Sequence, residues 1–292
     1  MNLTQWQELN LQQPQVRDLY WAVNSPGLMP HPALLDWRDD SPWFADWIKQ
    51  LDAKPDLLLQ FLAKSPQNRL GRYFEQLWQF YLQQHRGFEL LAANRQIHGQ
   101  DGVTQGELDI LVRHIESDAI WHLELAAKFY CRVLPGHEFQ PEHLWVGAKL
   151  NDRWDNKLHQ LLTQQLPLAQ TPLAQQALAA EQLLPMRSFA IVKGQLFVPE
   201  LCAAGWLPQA DLSQLPEERC YLPLAPKEWL APRQASDAWL SKAELLEYFA
   251  QSRPSMQLAV WHPERQEQSG RLFVMAECWH AQALALAGVG HG

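Results

Sequence analysis

Hydrophobic and polar positions along this chain follow a period that changes several times. Through about residue 65 the pattern is helical, broken at Pro14, Pro26, Pro30, Pro32, Pro42 and Pro55. An apolar run at 57–61 follows a Pro-Asp pair suited to a helix start. Leu70, Tyr73, Phe74, Leu77, Trp78 and Tyr81 then recur at i, i+3, i+4, i+7, i+8 and i+11, which predicts an amphipathic helix ending at Gly87, with Glu75 at the flank of its apolar stripe. After Gly87 the period drops to two. Segments 88–97, 107–113 and 120–130 read as strands, with a Gly-Gln-Asp-Gly turn at 99–102 and a hairpin connection at 114–119. Helical spacing returns at 151–166 through Trp154, Leu158, Leu161, Leu162 and Leu166, and again at 173–184, up to Pro185. Beyond it, 188–198 predicts a strand, hairpin-like about Gly194, and Ser241 with Glu244 forms a capping box for a helix at 241–250. Two further strands are expected at 256–261 and 271–275, and the Ala/Gly-rich tail after Ala281 is expected to fray.

This mixture predicts an α/β (α+β) chain: a helical region over 1–68, a core over 69–184 with a central mixed sheet flanked by helices, and a mixed region over 185–292. The last is either a second domain or an elaboration of the core. Composition agrees with a globular protein, 47% hydrophobic and 19% charged. The fourteen tryptophans are expected mainly in packing roles. Residues 1–13 lack the charged and apolar regions of a signal peptide, and no apolar run is long enough to span a bilayer. Cys131, Cys202, Cys220 and Cys278 lack paired-ligand spacing, so neither a zinc site nor a disulfide framework is expected. A cytoplasmic protein without membrane contact is the resulting expectation. The net charge of -8 is spread along the chain, which argues against tight non-specific nucleic-acid binding but leaves room for a locally basic groove.

Candidate chemistry sits on the second and third strands. Alternation puts Glu107, Asp109, Leu111 and Arg113 on one face of the second, and His122, Glu124, Ala126, Lys128 and Tyr130 on one face of the third. Carboxylates in so apolar a run are costly unless paired or metal-bound. Asp109 and Glu124 can together present the hard oxygen ligands that magnesium prefers, and Lys128 can orient a water or offset transition-state charge. Second readings stand beside these. Glu124 and Lys128 can form a structural ion pair, Asp109 can cap a turn or pair with Arg113, Glu107 reads as solvated surface or substitute ligand, and Glu75 as site rim or solvent-facing. Lys149, Arg153 and Lys157 can contact a phosphate backbone, or form a solvated face with Asp152 and Asp155. Motifs for zinc proteases, serine hydrolases, phosphate loops and dinucleotide binding are absent from the sequence.

A helix bearing Glu75, a strand meander bearing Asp109 in Gly-Glu-Leu-Asp (106–109) and Glu124 with Lys128 in Glu-Leu-Ala-Ala-Lys (124–128), and a following helix resemble the restriction-endonuclease-like PD-(D/E)xK nuclease core. Across most of its length the chain also resembles a bacterial domain-of-unknown-function family (DUF1853-like), through those motifs, Leu-Glu-Leu-Ala-Ala-Lys-Phe-Tyr (123–130) and Asp-Arg-Trp-Asp-Asn-Lys-Leu (152–158). The nuclease resemblance implies a magnesium-dependent phosphodiesterase acting on DNA or RNA, with Asp109, Glu124, Lys128 and Glu75 catalytic, and Asp109 and Glu124 holding the metal. The alternative is a non-catalytic descendant of that fold that binds nucleic acid or protein. One departure bears on the choice. Three residues separate Glu124 from Lys128 where the superfamily has one, and Ala126 takes the usual lysine place. Two extra strand residues add about 6.6 Å, which a bulge can shorten.

Overall fold

The computed structural model describes residues 9–99, 101–133, 144–251 and 253–286 of the chain. Gln100 of the expected 99–102 turn, most of the N-terminal stretch over 1–13 and the end of the expected fraying tail lie outside them. The described residues form a mixed α/β (α+β) structure with two sheets. Contacts divide the chain into two compact units, Met1–Ala127 with Leu158–Gly194, and Lys128–Lys157 with Gln195–Gly292. No helix among the described residues is long and apolar enough to cross a membrane.

The first unit begins with helices α1 (Pro14–Asn24), α2 (Pro42–Ala53), α3 (Asp56–Lys64) and α4 (Leu70–Gln84). Ser41 caps α2 by accepting the Phe44 N–H, and Pro42 supplies the preset backbone angle of its first turn. The stripe expected on α4 is its core face: Phe74, Leu77, Trp78 and Tyr81 are fully buried. Trp21 of α1 meets Phe74 edge-on, and the Tyr73 hydroxyl donates to Asp18 at 2.9 Å. Asp39 caps this packing from beneath. It accepts from the Tyr81 hydroxyl at 2.8 Å and the Ser41 N–H at 3.0 Å, and lies 3.2 Å from His85. Burial raises its pKa, but those bonds outweigh burial and hold it at about 2.

After α4 come β1 (Phe88–His98), β2 (Thr104–His114) and β3 (Ala119–Arg132), an antiparallel meander, with β5 (Arg187–Phe197) also paired to β3. The predicted hairpin between β2 and β3 is present, with Ile110 opposite Leu123 and His114 opposite Ala119. The expected hairpin at Gly194 is not. β5 runs through that residue as one strand, and Gly194 takes a φ of 149° inside it. Only glycine adopts that angle without strain, so it marks an irregular strand position and not a turn.

The second unit contains the end of β3, where Cys131 pairs with Val146 of β4 (Trp145–Val146), and the start of α5 (Trp154–Gln160). The predicted helix at 151–166 begins late. Asp152 accepts Lys128 and Tyr130 through its side chain, and its carbonyl takes the Gly147 N–H at 2.8 Å, so the chain turns there first. A mixed sheet follows, in the order β6 (Ala204–Pro208), β9 (Glu267–Met275), β8 (Met256–His262), β7 (Cys220–Leu224). Its core gathers Leu207, Tyr221, Leu245, Leu258, Leu272 and Val274. The Ser241–Glu244 box opens α7 (Lys242–Tyr248), which follows α6 (Pro172–Ala180) of the first unit. The tail is ordered further than expected. Helix α8 (Trp279–Leu286) continues past Ala281, anchored by buried Trp279, whose indole donates to the Gly147 carbonyl at 3.0 Å.

Lys193 is the first unit's most enclosed cation. It is 0% exposed, donates to the carbonyls of Ser25 and Trp37, and lies 3.7 Å from Asp36. Burial lowers its pKa from 10.5 to about 8, against the opposing pull of Asp36. A cation whose folded pKa is depressed is penalised while protonated, so the penalty disappears as pH rises through that interval. Between pH 8 and 10.5 the natural chain should gain up to about 3 kcal/mol relative to Lys193→Met. Urea unfolding of both chains across that interval checks this; a constant difference contradicts it.

Candidate active site

In the antiparallel register Leu111 of β2 faces His122 of β3. Directly opposed residues share a face, and alternation extends that face to Glu107 and Asp109 on β2 and to Glu124 on β3. The β2–β3 ladder runs from His114–Ala119 to Ile110–Leu123. Just beyond its last pair, Asp109 Oδ2 accepts the Leu125 N–H at 2.9 Å. A side-chain carboxylate thus takes over from a ladder carbonyl and clips the two strands together. Asp109 is 9% exposed.

Glu124 is buried to 1% exposure. Its Oε1 lies 2.8 Å from His122 Nε2, and its Oε2 accepts the Gln165 side-chain amide at 2.6 Å. His122 is wholly buried, and its Nδ1 lies 3.1 Å from Ser188 Oγ. With the Nε2 proton directed at Glu124, Nδ1 accepts from the Ser188 hydroxyl. Gln165 sits in a π-helical turn, Leu161–Gln165, that continues from α5. The wider turn changes the direction in which its residues project.

Glu75 reaches the same face from α4. One turn earlier on that helix, Arg72 Nη1 donates to Glu75 at 2.7 Å, to Glu107 at 2.8 Å and to Asn94 Oδ1 of β1 at 2.9 Å. Asn94 has a φ of 53°, a left-handed conformation that asparagine tolerates better than most residues. Burial raises the Glu75 pKa above its usual value. The negative charges of Glu107 and Glu124 add to the rise, and Arg72 opposes it. Glu107 and Glu124 therefore both lie close enough to Glu75 to repel its charged form. The same guanidinium bonds to Glu75 and Glu107, which holds its own pKa well above the usual arginine value.

The expected residues thus separate. Glu75, Asp109 and Glu124 belong to the first unit; Lys128 belongs to the second, where both Asp152 oxygens hold its ammonium at 2.9 Å. The alternative of a Glu124–Lys128 ion pair is not realised: Glu124 meets His122, and Lys128 pairs with Asp152. Tyr130 donates to the same Asp152 at 2.9 Å. Glu107 is not solvated surface: its side chain is 24% exposed and bonded to Arg72, and Glu75 is 14% exposed. Lys149 is exposed, Arg153 pairs with Asp155 at 3.0 Å, and Lys157 is half-buried, all in the second unit. Arg72, His122 and Gln165 were not foreseen as site residues. The i, i+3 spacing of Arg72 and Glu75 and the alternate spacing of His122 and Glu124 are the signals that could have found two of them.

Among the described residues, no group of three or more His, Cys, Asp or Glu side chains is disposed as a preformed metal cage. Magnesium needs only one or two carboxylates and keeps several waters. Asp109 and Glu124 supply the hard oxygens it prefers, and a carboxylate oxygen that accepts one hydrogen bond retains a second lone pair. In donor chemistry the pair fits the ion.

A family profile described as "Domain of unknown function (DUF1853)" matches residues 17–275. No curated protein and no solved structure matches the chain.

The raised pKa of Glu75 has a stability signature. A carboxylate whose folded pKa is raised loses stability as pH rises above its ordinary value of 4.5. Glu75→Gln, which keeps an acceptor for Arg72, should therefore gain on the natural chain as pH increases through and beyond that value. Thermal unfolding over a pH series checks the trend, and a Gln variant that loses ground with rising pH would show that Arg72 dominates instead.

Proposed function

The chain belongs to the DUF1853 family, and from the carboxylate cluster of its first unit we propose that it cleaves phosphodiester bonds of DNA or RNA with the help of magnesium. The observation that carries this reading is that Glu75 of α4 lies against the sheet face of Glu107 and Glu124, with Arg72 bonded to Glu75 and Glu107. One guanidinium shared by Glu75 and Glu107 leaves an excess of negative charge beside Glu124, and a divalent cation would relieve the repulsion. The order of helix with Glu75, strand with Asp109 and strand with Glu124 supports the likeness to a restriction-endonuclease-like core.

In this reading Asp109 and Glu124 hold the metal, which when bound would polarise a phosphate and acidify a water. His122 and Gln165 fix the orientation of Glu124. Glu75, its pKa raised towards the working range of a general base, takes the proton of the attacking water. Arg72 fixes Glu75 and Glu107. Lys149, which is exposed, and half-buried Lys157 keep a phosphate-contact role only as residues of the second unit by itself. Lys128 and Arg153, already neutralised by Asp152 and Asp155, are assigned no step.

A second reading, a non-catalytic descendant of the fold, is favoured by one observation: both Glu124 oxygens already accept hydrogen bonds. End-labelled single- and double-stranded DNA and RNA, incubated with the chain and magnesium, separate the two. Cleavage is expected, with Asp109→Asn and Glu124→Gln each slowing it by roughly a hundredfold or more while circular dichroism stays native. Full activity in either variant removes the assignment. No cleavage, together with no heat of magnesium binding, favours the second reading.

A further inference from the structure

The second unit holds a cavity of about 270 Å³ that the proposed chemistry does not use. Its walls are mainly apolar, with Leu201, Leu215, Val260 and Leu272 among them. Its shape follows from a tight contact between the 201–203 turn and β9. A Cβ on Gly270 would lie 2.6 Å from the Ala203 carbonyl oxygen, and that same carbonyl accepts the Arg271 N–H at 2.8 Å. The turn can rest against the strand only because position 270 has no side chain.

Arg219 lines this cavity. Its Nη1 is shut off from solvent and has no hydrogen-bond partner among the described residues. That nitrogen is out of reach of the cavity's open space, so what a ligand there would meet is the rest of the half-buried Arg219 side chain on the wall. The other polar side chains on the wall are already occupied. The Tyr221 hydroxyl donates to the Pro216 carbonyl at 2.8 Å and the Ser269 hydroxyl to Val260 at 3.3 Å. The cavity therefore offers one cationic donor above an apolar body.

We propose that this cavity binds a small monocarboxylate with an apolar tail, its carboxylate on Arg219 and its tail against Leu201, Leu215, Val260 and Leu272. Guanidinium matches the planar carboxylate in shape as well as charge. A dianion without a tail, such as phosphate, would gain nothing from the apolar part of the wall. Pockets with few polar groups and apolar walls are the usual form of small-ligand sites. The site lies entirely in the second unit, so it stands or falls independently of the carboxylate cluster.

Cys202 lines the same cavity and is exposed, and Cys278 is exposed as well but is not among the lining residues. Alkylation by iodoacetamide, read peptide by peptide by mass spectrometry, therefore reports occupancy with an internal reference. Hexanoate should slow modification of Cys202 saturably and leave Cys278 unchanged. 1-Hexanol and inorganic phosphate at equal concentration should leave Cys202 unprotected. Arg219→Gln should raise the half-protecting hexanoate concentration at least about tenfold. Equal protection by the alcohol or by phosphate, no protection by hexanoate, or an unchanged midpoint in a folded Arg219→Gln chain overturns the proposal. The acid–alcohol comparison needs no variant, so a poorly folding Arg219→Gln does not rescue it.

Discussion

Burying a carboxylate inside a sheet is the constraint around which the first unit is organised. Glu124 lies at 1% exposure in the middle of an apolar strand, where an isolated charge would be expensive. His122 meets one oxygen from two residues away on the same strand face, and Gln165 meets the other from a π-helical turn. Asp109 opposite it does backbone work by accepting the Leu125 N–H. Arg72 then reaches across from α4 to hold Glu75 and Glu107 near the same charge. The local alternation of β3 thus dictates where a helix turn, a neighbouring strand and a long cation must be.

This arrangement concentrates negative charge on one face; burial is the main cause of the rise in the Glu75 pKa, and the charges of Glu107 and Glu124 add to it. Structural ion pairs also perturb pKa values, so the shift alone does not identify chemistry. The combination is more informative. On the proposed reading, the hydrogen-bonded carboxylates on adjacent strands, a third on a facing helix and a positioned guanidinium are the groups that a hard cation and an anionic substrate would engage. The second unit handles its charge differently: Lys128, Tyr130 and Asp152 close on one another and turn the chain before α5.

The parts legible in the sequence are those governed by local period. The stripe of α4, the β2–β3 hairpin and the shared face of Asp109 and Glu124 follow from spacings of three, four and two. Two short edge strands that carry proline were not legible. β6 ends at Pro208 and β7 contains Pro223, and both stand at sheet edges, where a missing N–H is tolerated. Gly194 looked like a turn because the sequence carries no record of the partner strand that keeps it extended. The partners of the charged residues were hidden for the same reason. Lys128 finds Asp152, and Glu124 finds Gln165, across 24 and 41 residues of chain.

Burial first, and the nearby charges of Glu107 and Glu124 with it, raise the Glu75 pKa, and on the proposed reading a divalent cation would share their face. Carbon-13 NMR of the Glu75 side-chain carboxyl, titrated with and without magnesium, addresses both halves. The account predicts an apparent pKa above 4.5 without metal and a fall when magnesium is added. A Glu75 carboxyl that titrates at its ordinary value, or that ignores magnesium at saturating concentration, would contradict it.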